Sequence, residues 1–161
     1  MNILVAGIGN VFFGDDGFGV EVARRLAERD LPPDVRVADY GIRGVHLAFD
    51  VLDGVDVLVL VDAVPLGEEP GTVAVIEVDV DDVALGEASA LDAHRMTPAT
   101  VLGNLAHLGG HVRRVLVVGC QPAVIEEGIG LSEPVAAAVD RAVDDVLELI
   151  ADALAPAGKE P

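Results

Sequence analysis

The chain has 161 residues, of which 52% are hydrophobic and only 3% aromatic, so it can bury an aliphatic core within one domain. Its formal net charge is −18, from 28 acidic and 10 basic residues, and such a balance repels phosphate backbones and anionic lipid surfaces. Binding to nucleic acid or to a membrane surface is therefore not expected. The single cysteine, Cys120, leaves no internal disulfide and no Cys-rich metal site.

The same features set expectations for the whole molecule. We expect one domain over residues 1–155, followed by a frayed tail over residues 156–161 that contains Pro, Gly and charged residues. The sequence shows no leader segment and no apolar run long enough to cross a bilayer, which favours a cytoplasmic protein. The small size and the acidic surface favour a monomer.

The hydrophobic pattern predicts alternating strands and helices. Short, continuous, β-branched runs indicate strands that are buried on both faces. The fourth strand follows the third after a short turn over residues 65–71, too short for a crossover helix, so it is predicted to run antiparallel. The result is a three-layer, mostly parallel α/β domain of order βαβαββαβα. Its predicted strands are 3–6, 34–39, 57–61, 72–78 and 115–118, and its predicted helices are 17–29, 44–53, 97–108 and 133–154.

Two of the helices carry boundary signals. Thr97 is predicted to be the N-cap of the third helix, with Pro98 as its first residue. Ser132 is predicted to cap the last helix, whose acidic outer face accounts for much of the net charge. The acidic stretch 79–96 has no periodicity, and a loop of this length in a small domain is usually functional or mobile.

Sites in open parallel sheets form beyond the carboxyl ends of the strands, where the strand order reverses. If the first strand lies between the second and the third, the crevice falls at the ends of the first and third strands. Three segments should then reach it: 7–17, 61–63 and 92–96.

The first segment partly matches a dinucleotide-binding site, because Gly7-x-Gly9 follows a strand. The third glycine of that fingerprint is replaced by Phe12. Asp15 and Asp16 precede the helix, where a pyrophosphate needs backbone N–H groups and no competing carboxylates. These residues therefore argue against a nucleotide-binding domain, which is kept as a further alternative.

A cation suits these residues better. Asp16, Asp62 and His94 offer two carboxylates and an imidazole, a donor set that fits zinc or another divalent ion and leaves positions open for water or substrate. Taken singly, each has a plainer explanation: Asp15 or Asp16 as a helix cap or dipole partner, Asp62 as a turn residue, His94 as a solvated loop residue. Their convergence on one crevice favours the metal site. Cys120, at the end of an apolar strand, is predicted to be a buried, inert thiol.

The motifs together resemble those of the hydrogenase maturation endopeptidases over nearly the whole chain. The segments that carry the resemblance are Gly7-Ile8-Gly9-Asn10, Gly14-Asp15-Asp16-Gly17-Phe18-Gly19, Asp39-Tyr40-Gly41 with Gly44, Val61-Asp62-Ala63, the His94 loop, Gly119-Cys120-Gln121-Pro122 and residues 127–132. The resemblance implies an α/β/α sandwich with a five-stranded mixed sheet. It also implies removal of a short C-terminal extension from the large-subunit precursor of a [NiFe] hydrogenase, after the nickel–iron centre has been built.

The family's metal ligands correspond to Asp16, Asp62 and His94, and these are the predicted catalytic residues. The first ligand is often Glu in the family, whereas this chain has Asp16. The segment with Asp39, Gly41 and Gly44 resembles the one tied to substrate choice. The implied metal is the nickel of the precursor, with zinc as another divalent candidate.

Two mechanisms are compatible with this triad. The triad could hold a metal that activates water and polarises the scissile carbonyl. Alternatively, it could grip the precursor's nickel as a recognition element, with Asp16 or Asp62 as the water-activating base. Nickel-dependent recognition is the favoured hypothesis. A nickel- or precursor-binding maturation chaperone without peptidase activity is the alternative function.

Overall fold

The computed structural model describes residues 1–79, 97–110 and 112–156. Its elements follow the predicted order βαβαββαβα, and most strands extend one to three residues beyond the predicted runs. They are β1 (Ile3–Ile8), α1 (Phe18–Ala27), β2 (Val35–Gly41), α2 (Gly44–Leu52), β3 (Val57–Ala63), β4 (Val73–Val78), α3 (Pro98–His107), β5 (Arg114–Cys120) and α4 (Glu133–Leu154), with a short 3₁₀ helix, Gly14–Gly17, before α1.

The five strands form one mixed sheet in the order β2-β1-β3-β5-β4. Strands β1, β2, β3 and β5 pair in parallel, whereas β4 pairs antiparallel with β5. The predicted fold class, with its reversed fourth strand, is thereby confirmed. Since β1 lies between β2 and β3, the strand order reverses there, and a crevice opens beyond the carboxyl ends of β1 and β3.

Two apolar layers cover the sheet, one on each face. Strand β1 supplies both, because alternate side chains point to opposite faces. Ile3 and Val5 pack in the layer with α1 and α4, and Leu4 and Ile8 in the layer with α2 and α3. Every residue of β1 and β3 is buried, as predicted for runs covered on both faces.

The two predicted helix caps have different outcomes. The Thr97 hydroxyl accepts a hydrogen bond from the N–H of Thr100 at 3.2 Å, with Pro98 in the first turn of α3, so this cap is confirmed. Ser132 precedes α4, but its hydroxyl makes no capping bond to the helix. It donates instead to the carboxylate of Asp15 at 2.8 Å, so the predicted N-cap position is confirmed, but the serine side chain takes no part in the cap. A hydrogen bond from a hydroxyl to an ionised carboxylate is stronger than one between neutral groups, which favours this orientation of the Ser132 side chain.

Two predicted segments fall largely outside the described residues. They are the acidic loop, including His94, and the tail from residue 157 onwards. Among the helices that the structure describes, none combines the length and the apolar character needed to cross a membrane.

Candidate active site

The crevice beyond β1 and β3 is made by close backbone packing at two glycines. A Cβ on Gly19, in the first turn of α1, would overlap the carbonyl oxygen of Val61 in β3. Gly9, directly after β1, has φ +125°, and a Cβ there would overlap the carbonyl oxygen of Asp16. The glycines of this motif therefore let α1 and the preceding turn press against the strand ends.

The structure brings two of the predicted site residues to Gly9. Asp62, in β3, is 1% exposed, and its Oδ1 lies 3.2 Å from the position that a Cβ on Gly9 would take. That oxygen accepts a hydrogen bond from the N–H of Ala63 at 2.8 Å. Asp16, in the 3₁₀ helix, is half-buried and accepts a hydrogen bond from the N–H of Asn10 at 2.8 Å. Two carboxylates of adjoining segments thus lie at the end of β1.

The third predicted ligand, His94, lies outside the described residues. Within the ranges that the structure describes, no three His, Cys, Asp or Glu side chains are grouped so that they could hold a metal ion. The donors present at Gly9 are carboxylate oxygens, which suit divalent cations. The complete triad stays a prediction, and Asp16 and Asp62 are the described residues that would contribute to it.

Asp15 has a role that the sequence did not reveal. Its carboxylate is fully buried and accepts four hydrogen bonds at 2.7–2.8 Å: from the N–H groups of Ala123, Val124 and Ser132 and from the Ser132 hydroxyl. Burial alone would raise the pKa of Asp15, but these hydrogen bonds outweigh it and hold the pKa below its usual value. The plainer explanation of Asp15, as a cap of the helix that follows it, therefore does not hold. No local signal exposes this, because the partners lie 108 to 117 residues away.

The segment 122–132, which we call the clamp loop, is joined to the β1–α1 turn by the backbone as well. The N–H of Gly14 donates to the carbonyl of Gly128, and the N–H of Gly128 donates to the carbonyl of Phe12, both at 2.8 Å. The N–H of Asp15 donates to the carbonyl of Val124 at 2.9 Å. The clamp loop therefore lies directly beside the turn that carries Asp16.

A pocket of about 320 Å³ opens beside Asn10, whose N–H binds the Asp16 carboxylate, and two of the predicted recognition residues line it. Asp39 and Gly41 form one wall, and Asn10 and Phe12 belong to the other. Gly44, which is buried at the start of α2, is not part of the lining. The pocket is thus continuous with the segment that binds the Asp16 carboxylate.

Ion pairs and one hydroxyl hydrogen bond hold the pocket wall that contains Asp39. Its carboxylate lies 3.8 Å from Arg24 and 3.7 Å from Arg43, and both arginines line the pocket. The neighbouring Tyr40 donates its hydroxyl to Asp50 at 2.7 Å, which ties the end of β2 to α2. Burial, and then this bond, raise the pKa of Tyr40 well above its usual range, so it is a neutral donor.

Cys120 is excluded as a nucleophile. The side chain is fully buried, and burial, followed by the negative charge of Asp15, raises the pKa of the thiol to about 11. The thiolate, which is the reactive form, is therefore nearly absent at neutral pH. This confirms the prediction of a buried, inert thiol.

Comparison with known proteins assigns this arrangement to a family. Residues 20–149 match the model of the hydrogenase maturation protease family. The chain belongs to this family. It is 37% identical over 150 residues to a putative hydrogenase maturation protease of Methanocaldococcus jannaschii, which covers 91% of this chain and 94% of the relative.

Two further comparisons extend the match. A hydrogenase expression/formation protein of Azotobacter chroococcum is 39% identical over 153 residues, covering 94% of this chain and 72% of the relative. The structure of the hydrogenase maturating endopeptidase HybD from E. coli superposes with a TM-score of 0.79 at 30% identity, covering 96% of this chain and 94% of HybD. This member of the hydrogenase maturation protease family is a peptidase that acts in hydrogenase maturation.

Proposed function

We propose that this protease removes the C-terminal extension of a [NiFe] hydrogenase large-subunit precursor after nickel insertion, with the precursor's nickel as the recognition element. Membership of the hydrogenase maturation protease family supports the precursor as substrate. The observation that carries the proposal is the pair of carboxylates, Asp16 and Asp62, at Gly9. A cation brought by the substrate is attracted there, whereas a phosphate would be repelled.

The two carboxylates differ in burial, which divides their roles in the proposal. Asp62 is 1% exposed and is held by the N–H of Ala63, so it serves as a fixed ligand for the substrate's nickel. Asp16 is half-buried and can meet both the nickel and a water molecule, so it is the residue that takes a proton from the attacking water. His94 completes the ligand set. Nickel, once gripped, holds the scissile bond near Asp16 and adds positive charge beside it.

The pocket lined by Asp39 and Gly41 receives the part of the precursor that distinguishes one hydrogenase from another. Its walls combine apolar atoms with the charges of Arg24, Arg43 and Asp39, a mixture that can discriminate between partners. It adjoins Asn10, whose N–H holds Asp16. Recognition and cleavage therefore use neighbouring residues.

The donor set Asp16, Asp62 and His94 also suits zinc. The protein without its precursor could therefore hold a metal ion of its own, and this can be measured. We propose that it carries none and acts as a monomer on the nickel of its substrate. Metal analysis of the purified protein and light scattering measure the two properties directly. One tightly held zinc ion per chain would contradict the first, and a dimer mass would contradict the second.

The proposed function is tested with a purified hydrogenase precursor, prepared with nickel and without it. Mass spectrometry should show loss of a C-terminal peptide from the nickel-loaded precursor and no loss from the nickel-free form. Equal cleavage of both forms would contradict nickel recognition. A stable complex of unchanged mass would contradict cleavage and favour the chaperone function instead.

A further inference from the structure

The clamp loop is held in a fixed shape although it contains no regular helix or strand beyond one bridge between Phe13 and Gly128. Four hydrogen bonds to the Asp15 carboxylate and three backbone bonds to the β1–α1 turn fasten it. An irregular surface loop usually relies on water for its backbone partners and is mobile. Here, a buried carboxylate supplies the partners from within the protein.

This fixed loop and its neighbouring turn expose large apolar side chains. Ile129 is 80% exposed and Phe12 60% exposed, and the others are about 40% exposed. We call the set the apolar rim: Phe12, Phe13, Val124, Ile125 and Ile129. Single exposed apolar residues are common, but several of them on two hydrogen-bonded segments beside a candidate active site indicate a binding surface.

We propose that the apolar rim binds the segment of the hydrogenase precursor that adjoins the scissile bond, and that Asp15 is the positioning residue that holds the rim in place. The proposal rests on the proposed function. Asp15 and Asp16 are consecutive residues of the 3₁₀ helix, so the residue that fastens the rim is next in the chain to the one assigned to the bond being cut. A peptide bond held at Asp16 must have its flanking residues against the surfaces that border this turn.

The charge of the clamp loop indicates the character of the bound segment. Glu126 and Glu127 are exposed between Ile125 and Ile129, on a chain of net charge −18. Electrostatic complementarity therefore favours a precursor segment that pairs apolar residues with at least one Lys or Arg. A second copy of this chain would bring like charges together, which makes self-association through the rim unfavourable.

The test compares Ile129→Thr with Ile76→Thr, a matched change outside the rim on the edge strand β4, where Ile76 is 43% exposed. With nickel-loaded precursor, Ile129→Thr should raise KM about fivefold or more and leave kcat near the wild-type value, because the rim does not touch the reacting bond. Ile76→Thr should leave both constants unchanged. An unchanged KM for Ile129→Thr, or an equal rise in KM in both variants, would overturn the proposal that the apolar rim binds the precursor.

The positioning role is tested with Asp15→Asn and with the milder variant Ser132→Ala, which removes one of the four hydrogen bonds. Both should raise KM and speed hydrogen exchange at the amides of Ala123 and Val124, with the larger effect for Asp15→Asn. If hydrogen exchange at these amides and the KM are both unchanged in Ser132→Ala, the positioning role of Asp15 is wrong. A loss of stability with no change in KM in either variant would also contradict it.

Binding without cleavage separates this inference from the proposed function. In an Asp62→Asn background, the affinity for the precursor should fall when Ile129→Thr is added and when salt is raised. The wild-type protein could fail to cleave the precursor while its affinity still depends on Ile129 and on salt. In that case the proposed function is wrong, and binding at the apolar rim is supported. If the wild-type protein cleaves the precursor but Ile129→Thr binds it with unchanged affinity, the proposal for the apolar rim is wrong and the proposed function is kept. If Ile129→Thr changes only the mass measured by light scattering, the rim binds a second copy and the proposal is wrong.

Discussion

The buried carboxylate of Asp15 accepts hydrogen bonds from both the backbone N–H and the hydroxyl of Ser132, at 2.7 and 2.8 Å. Ser132 is the residue before α4, and Asp15 lies before α1. The beginnings of the two helices that cover one face of the sheet are therefore tied by a single side chain. The carboxylate also places negative charge near the N-terminus of α4, which the helix dipole favours.

Asp15→Asn should lower the free energy of unfolding by about 3 kcal/mol, because hydrogen bonds to a buried charge are lost and the amide brings donors to a site that needs acceptors. Urea denaturation measures the change. Asp140→Asn is the control: Asp140 pairs with Arg25 at 2.7 Å on the surface, and exposed pairs contribute less than about 1 kcal/mol. Equal effects in the two variants would contradict the structural role of Asp15.

Gly9→Ala should be more damaging than Gly54→Ala, although both glycines have positive φ, +125° and +114°. Backbone strain of this kind costs about 1–3 kcal/mol at either site. At Gly9, a Cβ would also overlap the carbonyl oxygen of Asp16 and crowd Asp62, whereas nothing lies within 4 Å of it at Gly54. Gly9→Ala should therefore abolish cleavage as well, and Gly54→Ala should retain it at temperatures where it is folded. Comparable activity in both variants would show that the close approach is unimportant.

Asp62→Asn should abolish cleavage of the nickel-loaded precursor while the fold is kept, because Asn retains an oxygen for the Ala63 N–H but loses the charge that attracts the cation. His94→Ala should have the same effect on cleavage. Circular dichroism checks the fold, and mass spectrometry checks the product. Normal processing by both variants would refute the assignment of the site.

Cys120 should resist a thiol reagent at pH 8 in the native protein and react at once in denaturant, since its pKa is raised to about 11 in the fold. Burial keeps the folded thiol neutral while the unfolded one ionises above about 9, so the stability due to this group is lost as the pH rises from about 9 towards 11. The absorbance of the coloured group that the reagent releases gives the rate at which the thiol reacts. Rapid native labelling at pH 8 would mean that the thiol is accessible.

Most of the architecture follows from local patterns. The apolar runs that became β1, β3 and β5 are continuous, as strands covered on both faces must be. The reversed direction of β4 follows from the shortness of the turn before it. Since such signals depend on residues close together in the chain, the sequence was sufficient to predict the sheet and the end of β1 as the location of Asp16 and Asp62.

Other features depended on contacts that no local pattern contains. Asp15 and Asp16 are adjacent and of the same type, yet one is fully buried against the clamp loop and the other lies half-buried at the crevice. Only the folded chain brings Ala123, Val124 and Ser132 to Asp15, where the Ser132 hydroxyl donates to the carboxylate. The sequence by itself determined the layers and the residues available for chemistry. The tertiary structure decided which carboxylate is structural, because hydrogen-bond partners 108 to 117 residues apart are chosen by packing and not by neighbouring sequence.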